Sequence, residues 1–205
     1  MVKQTLSGFS INGLRVAMVI GIWAVMSAAQ LQAAPVPGNE GVDIDLRRTT
    51  LIVSDIDNSL RFYRDALGFK VIYDNMIRTP RTAETDAEAE VSRRLVFVRA
   101  NDDYIGIIGL LEYTKPRKPV REPEPVDFST GSAVLLFTTT DLASRFPKAA
   151  AVSGVEVLDP PTDTSYPSYD GSSILNVRVS TLRDPDGFLI ELNEFIGENP
   201  VQSAD

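Results

Sequence analysis

The sequence predicts an α+β fold made from two copies of one unit, a strand, a helix and three strands, and three observations carry that prediction. Twice along the chain a short β-branched strand runs into a stretch of helical spacing that a glycine stops, and further strands follow. Between the copies, residues 114–130 hold four prolines among alternating charges, which neither a continuous helix nor a central strand accommodates. The last strands of the two copies also align: Ile108-Gly109-Leu110-Leu111-Glu112-Tyr113 matches Ile190-Glu191-Leu192-Asn193-Glu194-Phe195.

The chain opens with Lys3 and Arg15 ahead of Ala17 to Ala29, thirteen uncharged and mostly apolar residues, and Leu31-Gln32-Ala33-Ala34 then offers small residues for cleavage. This is the pattern of a secretory signal peptide over 1–33, cut after Ala33, and it implies export, to the periplasm in a bacterial source. The apolar run is short against the roughly 20 residues of a membrane span, so no membrane association is expected after cleavage. The alternative is an uncleaved N-terminal segment that anchors the protein. Residues 34–45 carry Pro, Gly and acidic residues without period and read as a flexible lead-in.

The first module, 46–113, begins with a strand over Arg48 to Val53. Ser54 or Asp55 caps a helix over Ile56 to Leu67, apolar at Ile56, Leu60, Phe62, Tyr63 and Leu67, and Gly68 ends it. Phe69 to Tyr73 is a strand leading into a polar stretch, Asp74 to Arg94, with room for a short helix over Ala83 to Glu90. Leu95 to Ala100 and Tyr104 to Tyr113 are strands joined by the Asn101-Asp102-Asp103 turn. After the 114–130 linker, the second module, 131–197, repeats the order. Val134 to Thr139 is a strand, a helix runs from Asp141-Leu142 to Val152, and Gly154 precedes a short strand over Val155 to Leu158. Pro160 to Ser172 is a polar loop rich in aromatics. Ser173 to Thr181 and Phe188 to Phe195 are the last strands, around the turn Asp184-Pro185-Asp186-Gly187. A short polar tail, 198–205, follows.

With 43% hydrophobic and 23% charged residues in 205, the composition is that of a globular domain. A net charge of −8 without clustered Lys and Arg excludes a nucleic-acid partner. The absence of cysteine and histidine removes disulfides, thiolate nucleophiles, Ser-His-Asp triads and the commonest metal ligand.

Two motifs at opposite ends of the repeat, Val53-Ser54-Asp55-Ile56-Asp57-Asn58-Ser59-Leu60-Arg61-Phe62-Tyr63-Arg64-Asp65-Ala66-Leu67-Gly68-Phe69 and Arg183-Asp184-Pro185-Asp186-Gly187-x-x-Ile190-Glu191, resemble the vicinal oxygen chelate superfamily. That superfamily includes glyoxalase I, extradiol dioxygenases, fosfomycin-modifying enzymes and bleomycin-binding proteins. The resemblance covers 46–197 and implies two βαβββ modules forming a cup-shaped mixed sheet with helices on its outer face. It also implies a small-molecule ligand and a homodimer.

In that superfamily a metal is held at four equivalent positions, which fall here on Arg48, Gly109, Val134 and Glu191. Only Glu191 has a donor side chain, and a divalent site needs about three from protein, so neither a metal nor another cofactor is expected. Strand alternation would point Arg48, Thr50, Tyr113, Val134, Leu136, Glu191, Asn193 and Phe195 to one face. Arg48 and Glu191 would then pair where the metal would have been, the guanidinium suited also to a carboxylate or enolate oxygen. Tyr73, Tyr113 and Phe195 would wall a planar ligand, and Tyr166 and Tyr169 would sit in a mobile flap over the cup. The expected function is binding of a small organic molecule in a metal-free cup. One alternative is a metal-independent lyase or isomerase with Glu191 as base and Arg48 stabilising an oxyanion, and another is a divalent-metal enzyme with a non-standard site.

Overall fold

The computed structural model describes residues 44–120, 130–168 and 171–197. The expected signal peptide, nearly all of the lead-in, the middle of the linker, Tyr169 and the tail lie outside the described residues.

Each module forms its own four-stranded mixed sheet. In the first, β1 (Arg48–Ile52), β2 (Lys70–Thr79), β3 (Val91–Arg99) and β4 (Ile107–Lys115) lie in the order β1-β4-β3-β2. In the second, β5 (Val134–Thr138), β6 (Glu156–Pro167), β7 (Ile174–Arg183) and β8 (Leu189–Phe195) take the matching order β5-β8-β7-β6. The helical crossover sets the first strand of each module parallel to the last, and the remaining pairs are antiparallel. The registers coincide as well. Arg48 lies opposite Ile107 and Val134 opposite Leu189, so Gly109 and Glu191, two residues further on, occupy equivalent places.

Helix α1 (Ile56–Leu60) starts at Asp55, whose carboxylate accepts from the N–H groups of Asp57 and Asn58. The Glu112 carboxylate adds a second acceptor, for the N–H of Ile56 at 3.2 Å. The helix runs without a break into a π-helical turn, Arg61–Ala66, instead of staying regular to Leu67. Gly68 then turns the chain at φ +80°, and its missing side chain also admits Arg145 of helix α2 (Leu142–Ala150), which donates to the carbonyl of Leu67. A Cβ at Gly68 would lie 2.5 Å from that guanidinium, so this glycine serves both the turn and the contact between modules.

Strand alternation sorts the side chains as the sequence predicts. Leu51, Val53, Ile108, Leu110, Ile190 and Leu192 are buried beneath the helices, whereas Arg48, Thr50, Ile52, Val134 and Leu136 stand on the open faces. The buried faces merge into one core around Phe62, Tyr63, Leu142 and Leu182. Phe137 of β5 closes it by meeting Phe69 and Tyr63 edge-on, with centroids 5.2 and 6.4 Å apart.

Two stretches differ from the sequence reading. β2 continues to Thr79, and Ala83 to Glu90 folds as turns instead of a helix, because Asp86 accepts hydrogen bonds from Arg78 Nε at 2.8 Å and Ser92 Oγ at 2.6 Å. The Pro160 to Ser172 stretch is mostly strand, since β6 runs through Pro167 along β7. Its prolines are tolerated because β6 is an edge strand, with irregular register between Val157 and Asp159 and again before Thr162.

Candidate functional site

The open face of the first sheet is organised by a glycine. At Gly109 a Cβ would lie 2.9 Å from Thr50 Oγ1 and 3.2 Å from Arg48 Cδ, so the side chain of Arg48 crosses β4 where any other residue would stand. Arg48 Nε donates to Thr50 Oγ1 at 3.1 Å, and the guanidinium carbon rests 4.3 Å from the centroid of the Phe97 ring. Phe97 in turn stacks on Tyr73 of β2 at 4.7 Å and 23°. A cation, a phenyl ring and a phenol thus form a row from β1 to β2. Further along the same face, Tyr113 carries Arg93 at 5.8 Å and Lys118 at 4.9 Å.

The second sheet presents a different face. Glu191 lies opposite Leu136 on one side and Thr181 on the other. Asn193 is nearly buried: its Oδ1 accepts from the N–H of Ser180 at 3.3 Å, replacing a ladder bond, and its Nδ2 donates to Glu191 Oε2 at 3.5 Å. Val177 opposes both Phe195 and Thr164, so Tyr166, two residues beyond Thr164, shares the face of Phe195. Tyr166 is therefore a strand residue facing Leu175 and not part of a flap, because the edge ladder holds its backbone. Its flap partner Tyr169 lies outside the described residues.

The expected ion pair is not formed. Arg48 is engaged by Thr50 and Phe97 in one sheet, and Glu191 by Asn193 in the other. Burying Glu191 against Arg48 is unnecessary, since each charge lies on an open face with a local polar or aromatic neighbour.

The most buried charge lies elsewhere, at the turn between β7 and β8. Asp184 is wholly enclosed and accepts hydrogen bonds from Tyr63 Oη at 2.8 Å and, on Oδ1, from the N–H groups of Asp186 and Phe188 at 3.0 and 2.9 Å. Burial pushes its carboxyl up to about 6, against the hydrogen bonds that favour the charged form. The same burial, with Asp184 beside it, raises the Tyr63 phenol well above its usual value. Asp186 then reaches the first module, accepting from the N–H of Ser54 at 2.8 Å. The turn is the polar seam between modules.

A family model for the Glyoxalase/Bleomycin resistance protein/Dioxygenase superfamily matches residues 45–192. The chain belongs to this superfamily. A glyoxalase family protein from Bacillus cereus is 16% identical at a TM-score of 0.58, over 77% of this chain and 98% of that one. TnmS3, an antibiotic binding protein from Streptomyces sp. CB03234, is 20% identical at a TM-score of 0.45, over 76% and 100%. A superfamily member from Sphaerobacter thermophilus is 22% identical at 0.42, over 72% and 94%. At its identity the first of these likenesses is one of fold. No curated protein matches the chain.

The residues present do not fit the superfamily's metal. Of its four positions, Arg48 is a permanent cation lying in the space Gly109 vacates, Val134 is apolar, and Glu191 alone offers a donor. Among the described residues no three Asp or Glu side chains converge as a metal site would require.

Two features escaped the sequence reading. Phe97 joins the first face because it pairs with Gly109, and Arg93 joins it because β3 begins at Val91 and not at Leu95; the period of two back from Phe97 reaches Arg93. The Tyr63–Asp184 contact spans 121 residues, beyond the reach of any local pattern.

Proposed function

We propose that this superfamily member is an exported protein that binds a small organic molecule on its open sheet faces, as a homodimer, without a metal at the superfamily's position. One observation carries the metal-free reading: the Arg48 side chain lies in the space beside Gly109 with its guanidinium on Phe97, so two of the four positions are a permanent cation and a residue without a donor. The binding reading draws on the aromatic row and the apolar residues around it, the usual lining of a ligand site. The homodimer draws on exposed apolar side chains of the second sheet, among them Leu136 at 58% and Ile174 at 62%, which a second copy would cover. Export draws on the N-terminal pattern. A metal-independent lyase or isomerase would need Glu191 and Arg48 on one substrate, and their separate partners favour binding.

Protein purified without chelator should contain far less than one equivalent of any divalent metal by elemental mass spectrometry, and denaturing it should release a copurified organic molecule. Light scattering should give twice the chain mass. One tightly held equivalent of metal per chain would sink the metal-free reading.

A further inference from the structure

We infer that the open face of the first sheet takes a flat aromatic acid, with its carboxylate on Arg48. This rests on the reading of that face as ligand-binding and adds the ligand's chemistry.

The strand registers lay the face out in rows. Gly109 pairs with Thr50 and Phe97, and Phe97 with Tyr73, giving a row that ends in Arg48 and two rings. The next row is apolar over three strands, with Ile52, Leu111 and Leu95 side by side and Asn75 of β2 at its end. The third pairs Tyr113 with Arg93. An apolar strip is therefore bounded by a guanidinium at each end and by aromatic rings on its rim.

The charge on this face is one-sided. In a chain of net charge −8, none of the strand residues on this face is acidic, while Arg48 and Arg93 both stand there. Among the described residues, the terminal amino groups of Arg48 have no hydrogen bond or ion pair, only Nε being engaged, by Thr50. Arg93 Nε is buried with no hydrogen-bond partner. Two guanidiniums thus carry N–H groups that no protein acceptor satisfies: those of Arg48 are exposed and open to a ligand, and that of Arg93 is a buried donor, costly to leave unpaired. A ligand carboxylate answers the first by a two-pronged charge-assisted hydrogen bond, for which the planar guanidinium is shaped. The body attached to that carboxylate has to lie along an apolar strip rimmed by rings, which favours a flat aromatic system. A cationic ligand meets like charge, and a neutral one leaves the guanidinium unanswered.

Calorimetric titration of the purified protein with three probes of one shape, 2-naphthoate, 2-naphthalenemethanol and 2-naphthylmethylammonium, tests this. Naphthoate should bind at least tenfold more tightly than the alcohol, and the ammonium should not bind. Arg48→Gln should bring naphthoate down to the level of the alcohol while leaving the alcohol's affinity and the melting temperature unchanged. Phe97→Ala should weaken both, and Arg178→Ala, on the second sheet, neither. Equal binding of alcohol and naphthoate, or a preference that survives Arg48→Gln, overturns the acid while leaving a ligand-binding face intact. Failure of all three probes overturns the aromatic acid. The broader binding reading falls with it only if no organic molecule copurifies.

Discussion

The two modules share a backbone register and differ on their open faces. Where the first places Arg48, Gly109, Phe97 and Tyr73, the second places Val134, Glu191, Thr181 and Asp159 at the corresponding ladder positions. One face is cationic and aromatic, the other acidic and β-branched. The buried faces keep their character instead: Leu51 answers to Phe137, Leu110 to Leu192 and Val98 to Leu182. The pleat explains this division. Every second residue must fill a shared core, and the residues between are left to chemistry.

The equivalent turns diverge by the same logic, and they give the largest expected effect. Asp102, between β3 and β4, is only half-buried and accepts from the N–H groups of Ile105 and Tyr104, which hold its carboxyl below the usual range. Asp184, between β7 and β8, accepts comparable bonds and rises from 3.8 to about 6, because burial outweighs them. A carboxyl raised on folding favours the folded state most when protonated. Its contribution is complete below its unfolded value near 4 and is lost as pH rises through about 6. The gap from 3.8 to about 6 corresponds to about 3 kcal/mol. Ion-paired carboxylates such as Asp65 and Asp74 shift the opposite way, so what they contribute is lost only below about pH 4. Denaturant unfolding should therefore show stability rising as pH falls from 7 to 5, and Asp184→Asn should flatten that slope. Asp184→Ala leaves Tyr63 and two backbone donors without an acceptor and should cost about 3–5 kcal/mol at pH 5. Asp102→Ala should leave the unfolding curve in place.

The next effect tests whether the modules share a core. Phe137 is the second module's aromatic contribution to the Tyr63 and Phe69 cluster. Phe137→Ala should cost about 2–3 kcal/mol, less than a fully buried phenylalanine because the ring is only partly enclosed. The unfolding transition should stay single. Two separate transitions in this variant would mean that each module has a core of its own.

Much of this was legible from local pattern. Alternation in β1 and β8 put Arg48 and Glu191 on one face and so left Leu51, Ile190 and Leu192, which are buried, on the other, because a period of two needs no knowledge of the partner strand. The repeat between 108–113 and 190–195 foretold the equivalence of Gly109 and Glu191. Strand ends were less legible. Prolines at 160, 161 and 167 read as loop, since a lone sequence does not reveal that β6 is an edge where a missing N–H costs little. The site was legible in its residues and not in its pairings. Arg48 and Glu191 were rightly placed on strand faces, but Arg48's partner depended on the gap above Gly109 and on a ring from β3, a tertiary coincidence. Asp184 read as turn chemistry alone, because its burial is set by Tyr63 from the other module.

The smallest effect compares two arginines at one position of the repeat. Arg94 and Arg178 each lie opposite a glutamate of the neighbouring strand, Glu112 and Glu194, and each forks onto an aspartate of the edge strand, Asp74 and Asp163. Their surroundings separate them. Arg94 also reaches Asp57 in the first turn of α1 at 2.7 Å, tying helix to sheet, and keeps only 26% of its side chain exposed. Arg178 stays 40% exposed, and its second carboxylate, Glu194, is 3.9 Å away. Solvent and salt screen pairs of the second kind, and the side-chain entropy of holding two long groups together offsets what remains. Arg94→Ala should therefore lower stability by about 0.5–1 kcal/mol, with the loss shrinking in 1 M salt. Arg178→Ala should leave the melting temperature unchanged at either ionic strength. Equal losses would mean that the repeat position itself, and not the helix contact, gives these arginines their weight.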